Sequence, residues 1–232
     1  MSYYRSQGSN GIPPVLKNLI IINVLVFLAQ LVFDNNYQLT DKLALHPLDK
    51  SPYVDNVTFK PYQLFTHLFT HGGFTHLLFN MIGLYVFGNV LENLWGGKRF
   101  LFCYLLSGLG AAALHLAVQH FRFEHYGTMV DTARGARLYM ASLAPSVGAS
   151  GAVMGILAAF AYLFPNTPML IFPIPFPIKM VYLALIYVGI DLFGGLAQSA
   201  GDNIAHFAHL GGAITGFILV LLWNKTNKKT FY

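Results

Sequence analysis

Ser150 stands in the tetrapeptide Gly148-Ala149-Ser150-Gly151, at the predicted start of an apolar helix rich in small residues. A serine hydroxyl becomes a useful nucleophile when an adjacent base takes its proton, and histidine suits that task near neutral pH. Taken alone, however, a serine among glycines in such a helix is more often a packing residue. The GxSxG elbow of soluble hydrolases is not matched, because Ala152 stands where its second glycine would be. Other residues must therefore decide between these interpretations.

Two other apolar segments carry strongly polar side chains, which are costly inside a membrane and by default suggest function. His76 and Asn80 are four residues apart and share one helix face. His206 and His209 are three apart and are neighbours on another helix. His209 adjoins the small residue Gly212, whereas His206 lies one turn nearer the predicted outer surface, where water would reach it. We therefore predict His209 as the base that serves the serine.

The composition indicates a polytopic membrane protein. The chain has 232 residues, of which 55% are hydrophobic and 10% charged, whereas soluble domains carry about 25% charged residues. Cys103 is the only cysteine, which excludes intramolecular disulfides and CxxC metal sites. The net charge of +5 arises from basic residues scattered among short segments, so no nucleic-acid-binding stripe is expected. The first apolar run lacks an A-x-A-like cleavage site and is interpreted as a retained span.

Six apolar stretches approach the length of about 20 residues that a helix needs to cross a bilayer. They predict an all-α fold, a bundle of six transmembrane helices. The proline-rich stretch 165–177 is predicted as a loop or interfacial turn, with the fifth helix beginning after Pro177. The six stretches are 16–33, 75–95, 99–119, 149–165, 178–196 and 203–223.

The distribution of charge predicts the orientation of this bundle. With six spans, the side of the termini carries eight basic residues and one acidic residue, and the other side six basic and eight acidic. Because positive charge concentrates on the cytoplasmic side, we expect a short cytoplasmic segment (1–15), a six-helix domain (16–223) and a basic cytoplasmic tail (224–232). The polar segments 34–74 and 120–148 are expected to be outer loops.

This orientation brings the candidate residues to one depth. The second, fourth and sixth helices all run from outside to inside, and His76, Asn80, Ser150 and His209 lie near their starts. Small-residue faces let membrane helices approach closely, which would bring the serine within hydrogen-bond distance of His209. The start of a helix also offers free backbone N–H groups to a developing oxyanion. The glycines concerned are Gly148, Gly151 and Gly155 on the fourth helix and Gly212 and Gly216 on the sixth.

An acidic partner for His209 is not evident in the sequence. Asp202 lies two turns before it on the same helix, about 10 Å away along the axis, and a serine–histidine dyad would avoid burying another charge. A metal site of Asp202, His206 and His209 is an alternative, because carboxylate and imidazole both bind zinc. The chain has no HExxH, and the outer members of this set cannot share one ion without a ligand from another helix. We therefore expect no metal and no cofactor.

These residues resemble the rhomboid family of intramembrane serine proteases. The resemblance implies that Ser150 is the nucleophile, that His209 is the general base, and that His76, Asn80 and the serine N–H form the oxyanion hole. It also implies that the segment 34–74 is the family's laterally inserted loop. The matching pieces are Gly148-x-Ser150-Gly151, Ala208-His209-Leu210-Gly211-Gly212-x-x-x-Gly216, His76-x-x-x-Asn80 and the turn Leu91-Glu92-Asn93-Leu94-Trp95-Gly96-Gly97-Lys98-Arg99-Phe100.

The resemblance further implies single-span transmembrane substrates, cut near the outer membrane boundary in segments of weak helicity. We expect a multi-pass protein of a bacterial inner membrane, with the site open to the outer side; the sequence indicates no oligomeric state. Two positions depart from the family pattern: Tyr62-Gln63 replaces a frequent Trp-Arg, and Met154 replaces an aromatic residue that stacks on the histidine. The alternative is a non-catalytic, rhomboid-like binding or quality-control protein, but such relatives tend to lack the serine or the histidine.

Overall fold

The computed structural model describes residues 11–52, 58–170, 175–197 and 205–226. This part of the chain forms nine α-helices, a 3-10 turn at His67–Phe69 and a two-stranded antiparallel ribbon of β1 (Pro168–Met169) and β2 (Ile178–Lys179). The helices are α1 (Pro14–Tyr37), α2 (Leu39–Leu43), α3 (Gln63–Thr66), α4 (Phe74–Trp95), α5 (Gly97–Gly127), α6 (Ala133–Ser142), α7 (Ser150–Leu163), α8 (Met180–Ala197) and α9 (His206–Thr226).

Six of these helices confirm the predicted all-α polytopic fold. α1, α4, α5, α8 and α9 are long and apolar enough to cross a membrane. α7 is apolar but has only 14 residues, and its length of about 21 Å is less than the hydrocarbon thickness of about 30 Å. It ends before Pro165, as expected because the residue that precedes a proline disfavours the helical conformation. Ser150 is its first residue, as predicted.

The prediction that 120–148 is a loop is wrong. α5 continues to Gly127, and α6 follows with the Thr132 hydroxyl accepting a hydrogen bond from the Gly135 N–H at 3.0 Å. α6 buries Leu138 and Tyr139 and exposes its arginines. The helical periodicity is hidden in the sequence because these few apolar residues lie among polar ones. The stretch 165–177, predicted as a loop or turn, contains β1. The next helix, α8, begins at Met180, directly after β2.

The segment 34–74 is not a plain loop, because it includes the end of α1, α2, α3 and the 3-10 turn. Gln63, at one of the two positions that depart from the family pattern, is fully buried. Its side-chain oxygen accepts from the Lys60 N–H at 3.0 Å, and its amide donates to the Lys42 carbonyl at 3.3 Å. The Gln63 side chain therefore connects α3 to the residues just before it and to the end of α2.

Glu92 anchors the opposite end of the bundle. Its carboxylate is 4% exposed and accepts from the backbone N–H groups of Val15 at 2.9 Å and Leu16 at 2.6 Å. α1 begins after Pro13, which provides no side-chain cap. Because the first N–H groups of a helix lack partners within it, the Glu92 carboxylate supplies the cap and also complements the helix dipole.

Candidate active site

The segment that leads into α7 is held by the chain between α2 and the 3-10 turn. Leu45 and Ser146 exchange two backbone hydrogen bonds of 2.8 and 2.9 Å. The Gly148 N–H then donates to the His67 carbonyl at 2.9 Å. These three bonds fix the approach to Ser150, so the segment 34–74 positions the serine although it contributes no candidate nucleophile.

Gly148 creates the space in which two candidate residues meet. Its φ of +128° is a conformation that residues with a side chain rarely adopt. A Cβ at this position would lie 2.7 Å from Cε1 and 2.8 Å from Nε2 of His76, and 3.5 Å from the Ser150 hydroxyl oxygen. The His76 ring edge and the serine hydroxyl therefore lie on the same side of this glycine, as the prediction of a shared site requires.

The hydrogen bonds of His76 determine which of its ring nitrogens can donate. Its Nδ1 accepts from the Gly72 N–H at 3.4 Å, so in the neutral ring the proton resides on Nε2. Nε2 is the nitrogen beside Gly148. Asn80 is buried, and its amide nitrogen donates to the His76 carbonyl at 2.9 Å. A primary amide has two N–H groups, so one remains for another acceptor.

The predicted contact between the glycine faces of α7 and α9 is confirmed. A Cβ at Gly212 would overlap the Gly151 carbonyl, and one at Gly216 would overlap the Gly155 carbonyl. At the end of this contact nearest Ser150, a Cβ on Gly151 would lie 3.3 Å from the Ala208 carbonyl oxygen. Ser150 and His209 are the respective chain neighbours of these two residues, so the helix contact brings the two candidates together.

Sequence reasoning missed that α5 completes this close packing. Ser107 occupies the space where a Gly155 side chain would lie, and Ala111 does the same at Gly151. The small residues of α5 between 107 and 113 are the signal that could have shown it. No hydrogen bond joins Ser150 to His209 among the contacts of the described residues. Such bonds are often long in unliganded enzymes and tighten when substrate binds.

The carboxylate that reaches His209 is Asp191 on α8. Its Oδ1 lies 2.9 Å from Nδ1 of His209 and 2.8 Å from Nδ1 of His206. The structure thus supplies an acidic partner for His209 that is not evident in the sequence. The prediction that water reaches His206 is wrong, because its side chain is 7% exposed and that of His209 19%. Asp202 lies outside the described residues.

The sequence did not predict a role for Asp191, because the spacing of residues along one helix cannot show contacts between helices. The charge count also assigned it to the outer side, whereas it is a buried residue within α8. The available signal was a single carboxylate inside a stretch of 18 apolar and small residues, since ionisable groups within spans suggest function by default.

A possible metal-ligand set lies away from these residues. Within the described part of the chain, the ligand atoms of Asp49, His120 and Glu124 are all within 4.8 Å of one another. His120 and Glu124 are exposed, and the His120 ring already contacts Asp49 at 2.8 Å. Exposed acidic groups of this kind are common without an ion, so the set does not indicate a metal centre.

Residues 58–225 match the Rhomboid domain. The chain belongs to the rhomboid family. It is 29% identical over 221 residues to RHOMBOID-like protein 12, mitochondrial, of Arabidopsis thaliana, a match that covers 94% of this chain and 60% of the relative. It is 27% identical over 225 residues to Rhomboid protease AarA of Providencia stuartii, which covers 94% of this chain and 75% of the relative.

A third relative is Rhomboid protein 1, mitochondrial, of Saccharomyces cerevisiae, which is 32% identical over 150 residues, or 65% of this chain and 38% of the relative. The chain thus spans about three fifths of the Arabidopsis relative and less of the yeast one. Membership in the family, together with its apolar helices, makes this rhomboid a multi-pass integral membrane protein.

Proposed function

We propose that this rhomboid is an intramembrane serine endopeptidase in which Ser150 is the nucleophile and His209 the general base. The observation that carries the proposal is the contact of Gly151 with Gly212. That contact sets the start of α7 against the histidine turn of α9, at the end of the bundle where the His76 ring lies beside the serine.

The proposed acylation step transfers one proton and forms one bond. His209 Nε2 takes the proton of the Ser150 hydroxyl as the oxygen attacks the carbonyl carbon of the scissile peptide. The imidazolium then gives that proton to the leaving amine, and the peptide bond breaks. Water hydrolyses the acyl-enzyme by the same steps, with His209 again acting first as base and then as acid.

The tetrahedral intermediate carries negative charge on the former carbonyl oxygen. We propose His76 Nε2–H, the free N–H of Asn80 and the Ser150 backbone N–H as its donors. Donors fixed in advance in a site of low dielectric stabilise such charge strongly, and loss of one typically costs about 10²- to 10³-fold in kcat. The tautomer of His76 that Gly72 favours is the one that can donate.

The proposed substrates are single-span transmembrane proteins, cut near the outer membrane boundary. Hydrolysis needs water, and irregular backbone at membrane depth is tolerated only around a water-filled cavity or inside protein; the coil that enters α7 is such a segment. A substrate helix must unwind to expose a peptide bond, which favours residues of low helix propensity near the cut. We further propose cytoplasmic termini (1–15 and 224–232), a protease domain at 16–223 and a bacterial inner-membrane location.

Cleavage of a model single-span substrate in detergent, combined with labelling by a fluorophosphonate probe, tests this function. Wild type should cleave and be labelled, whereas Ser150→Ala and His209→Ala should lose at least about 10⁴-fold in kcat. Ser146→Ala is the matched control, because Ser146 holds Leu45 through its backbone only. Labelling that persists in Ser150→Ala would exclude this nucleophile. A folded wild type that cleaves no substrate of a membrane-protein panel would favour the non-catalytic alternative.

A further inference from the structure

Asp191 is a buried carboxylate in an otherwise apolar helix. Its side chain is 6% exposed, and a carboxylate at such a position is costly unless hydrogen-bonded groups of opposite polarity compensate it. The two imidazole contacts at Oδ1, from His206 and His209, supply this compensation. One carboxylate oxygen thus joins α8 to two histidines on successive turns of α9.

These contacts determine the tautomer of His209. An ionised carboxylate only accepts hydrogen bonds, so each Nδ1 that it binds must carry a proton. In the neutral ring, His209 Nε2 then has a free lone pair. That is the nitrogen that the proposed function requires as the base. The opposite tautomer would place the lone pair against Asp191 and leave Ser150 facing an N–H.

His206 holds the carboxylate in this position. A Cβ at Gly194 of α8 would overlap the His206 ring, so this glycine lets the ring lie directly against the α8 backbone. With its side chain 7% exposed, His206 has little freedom to rotate. Its contact of 2.8 Å therefore restrains the Asp191 rotamer that also reaches His209.

The charge of Asp191 matters most when His209 becomes an imidazolium. His76 on α4 and His115 on α5 also interact electrostatically with His209. Neither can compensate a positive charge, because an imidazole is either neutral or positive. Among the described residues, Asp191 is the carboxylate that contacts His209 and supplies the negative charge.

We propose that Asp191, held by His206, is the positioning residue for His209: it fixes the tautomer with a basic Nε2 and stabilises the imidazolium that forms during acylation. The inference rests on the proposed protease function and adds to its serine–histidine pair a carboxylate that orients the histidine. The proton taken from Ser150 stays on Nε2 until it reaches the leaving amine. The Nδ1 proton remains on His209, and Asp191 is not protonated in the cycle.

Asp191→Asn tests the role of the carboxylate. The amide removes the charge and can donate to Nδ1, which favours the wrong tautomer. We expect kcat to fall about 10²- to 10⁴-fold with little change in KM, and the acid limb of the kcat–pH profile to move to lower pH. His206→Asn should cost less, about 10-fold, because it loosens the carboxylate without removing it. Glu92→Gln is the matched control, since it makes the same change at the other buried carboxylate, and kcat per folded enzyme should be unchanged.

Failure of this inference is distinguishable from failure of the proposed function. An inactive, unlabelled wild type would overturn the protease proposal itself. An active wild type with an unchanged kcat and pH profile in Asp191→Asn would overturn the role of Asp191 alone. A profile that moves equally in Glu92→Gln would also overturn it, because the effect would then not be specific to the histidines.

A measurement on the wild type covers the case in which Asp191→Asn does not fold. Nitrogen NMR of protein labelled with ¹⁵N-histidine distinguishes a protonated from an unprotonated ring nitrogen. The His209 signals are assigned by their loss in His209→Gln. At neutral pH we expect a protonated Nδ1 and an unprotonated Nε2 for His209. The opposite assignment would overturn the inference without any Asp191 variant.

Discussion

Two buried carboxylates lie at opposite ends of the bundle and make different kinds of contact. Glu92 uses both oxygens to accept from backbone N–H groups at the start of α1. Asp191 uses one oxygen to accept from two imidazoles. Backbone N–H groups do not titrate, so the Glu92 contact is the same at every stage of a reaction. An imidazole can exchange a proton, so in the proposed mechanism the Asp191 contact takes part in proton transfer.

The backbone around the two carboxylates also differs in regularity. The Glu92 end is formed by regular helices joined through the tight turn at Gly96, whose φ is +78°. The Asp191 end includes the coil into α7, the 3-10 turn and the packed segment 34–74. Irregular backbone is therefore concentrated at the end that carries the proposed catalytic residues.

Among single substitutions, removal of the Glu92 carboxylate should lower stability the most. Glu92→Ala leaves the buried Leu16 N–H and the partly buried Val15 N–H without partners, at about 1–3 kcal/mol each, so the free energy of unfolding should fall by about 4 kcal/mol. The measurement is reversible unfolding in mixed detergent micelles. If kcat per folded enzyme also collapsed in this variant, the separation between a structural and a catalytic carboxylate would not hold.

Acidification should selectively destabilise the segment 34–74, which contains His67 and His71. Burial lowers the pKa of His67 and of His71 to about 4, and the neighbouring His76 adds to the shift of His71. In the unfolded chain these histidines have pKa values near 6.5, so between pH 6.5 and 4 they bind protons that they do not bind in the folded chain. The contribution of these two histidines to the free energy of unfolding should therefore be constant above pH 6.5 and level off below pH 4. Between these pH values it should fall by roughly 3 kcal/mol for each histidine.

The melting temperature as a function of pH checks this expectation. His71→Leu should make the dependence shallower, whereas His125→Leu, which changes an exposed histidine, should leave it unchanged. His115 is the other histidine that interacts with His67, so His115→Leu shows whether its titration contributes. An equal slope in wild type and His71→Leu would contradict the assignment of acid sensitivity to this segment.

A methyl group at Gly148 should disturb the end of the bundle that carries Ser150 and His76, and leave the end that carries Glu92 unchanged. Gly148→Ala places a side chain against the His76 ring and on a backbone with a φ of +128°, at a cost of about 2 kcal/mol. Displacement of the ring from the serine should lower kcat about 10²-fold. Gly73→Ala is the control, because nothing lies within 4 Å of the added methyl group. Equal losses in both variants would argue against a special role for Gly148.

The cap of α6 should have the smallest effect. Thr132→Ala removes the hydrogen bond to the Gly135 N–H and should lower stability by about 1 kcal/mol with kcat unchanged. Thermal unfolding and substrate cleavage measure the two quantities. A clear loss of kcat would show that α6 belongs to the catalytic end, although it contributes no side chain to the proposed site.

The comparison also shows which features could be read from the sequence. The apolar stretches predicted six membrane helices, because no other arrangement satisfies so many backbone groups in lipid. The periodicity of Gly212 and Gly216 predicted a close helix contact, which the structure confirms. The polar segments were predicted less well, since α6 buries only a few residues and its pattern is short.

By itself, the sequence determined the membrane class, the start of α7 at Ser150, and the small-residue faces through which α7 and α9 meet. These follow from local rules, namely the length of apolar stretches and residue spacing. Only the tertiary structure decided that Asp191 reaches both histidines of α9, that His206 is buried, and that Glu92 caps α1. Each of these is a contact between side chains of one helix and groups of another. The distance between helices and their relative rotation result from packing of the whole bundle, which no spacing along one helix contains.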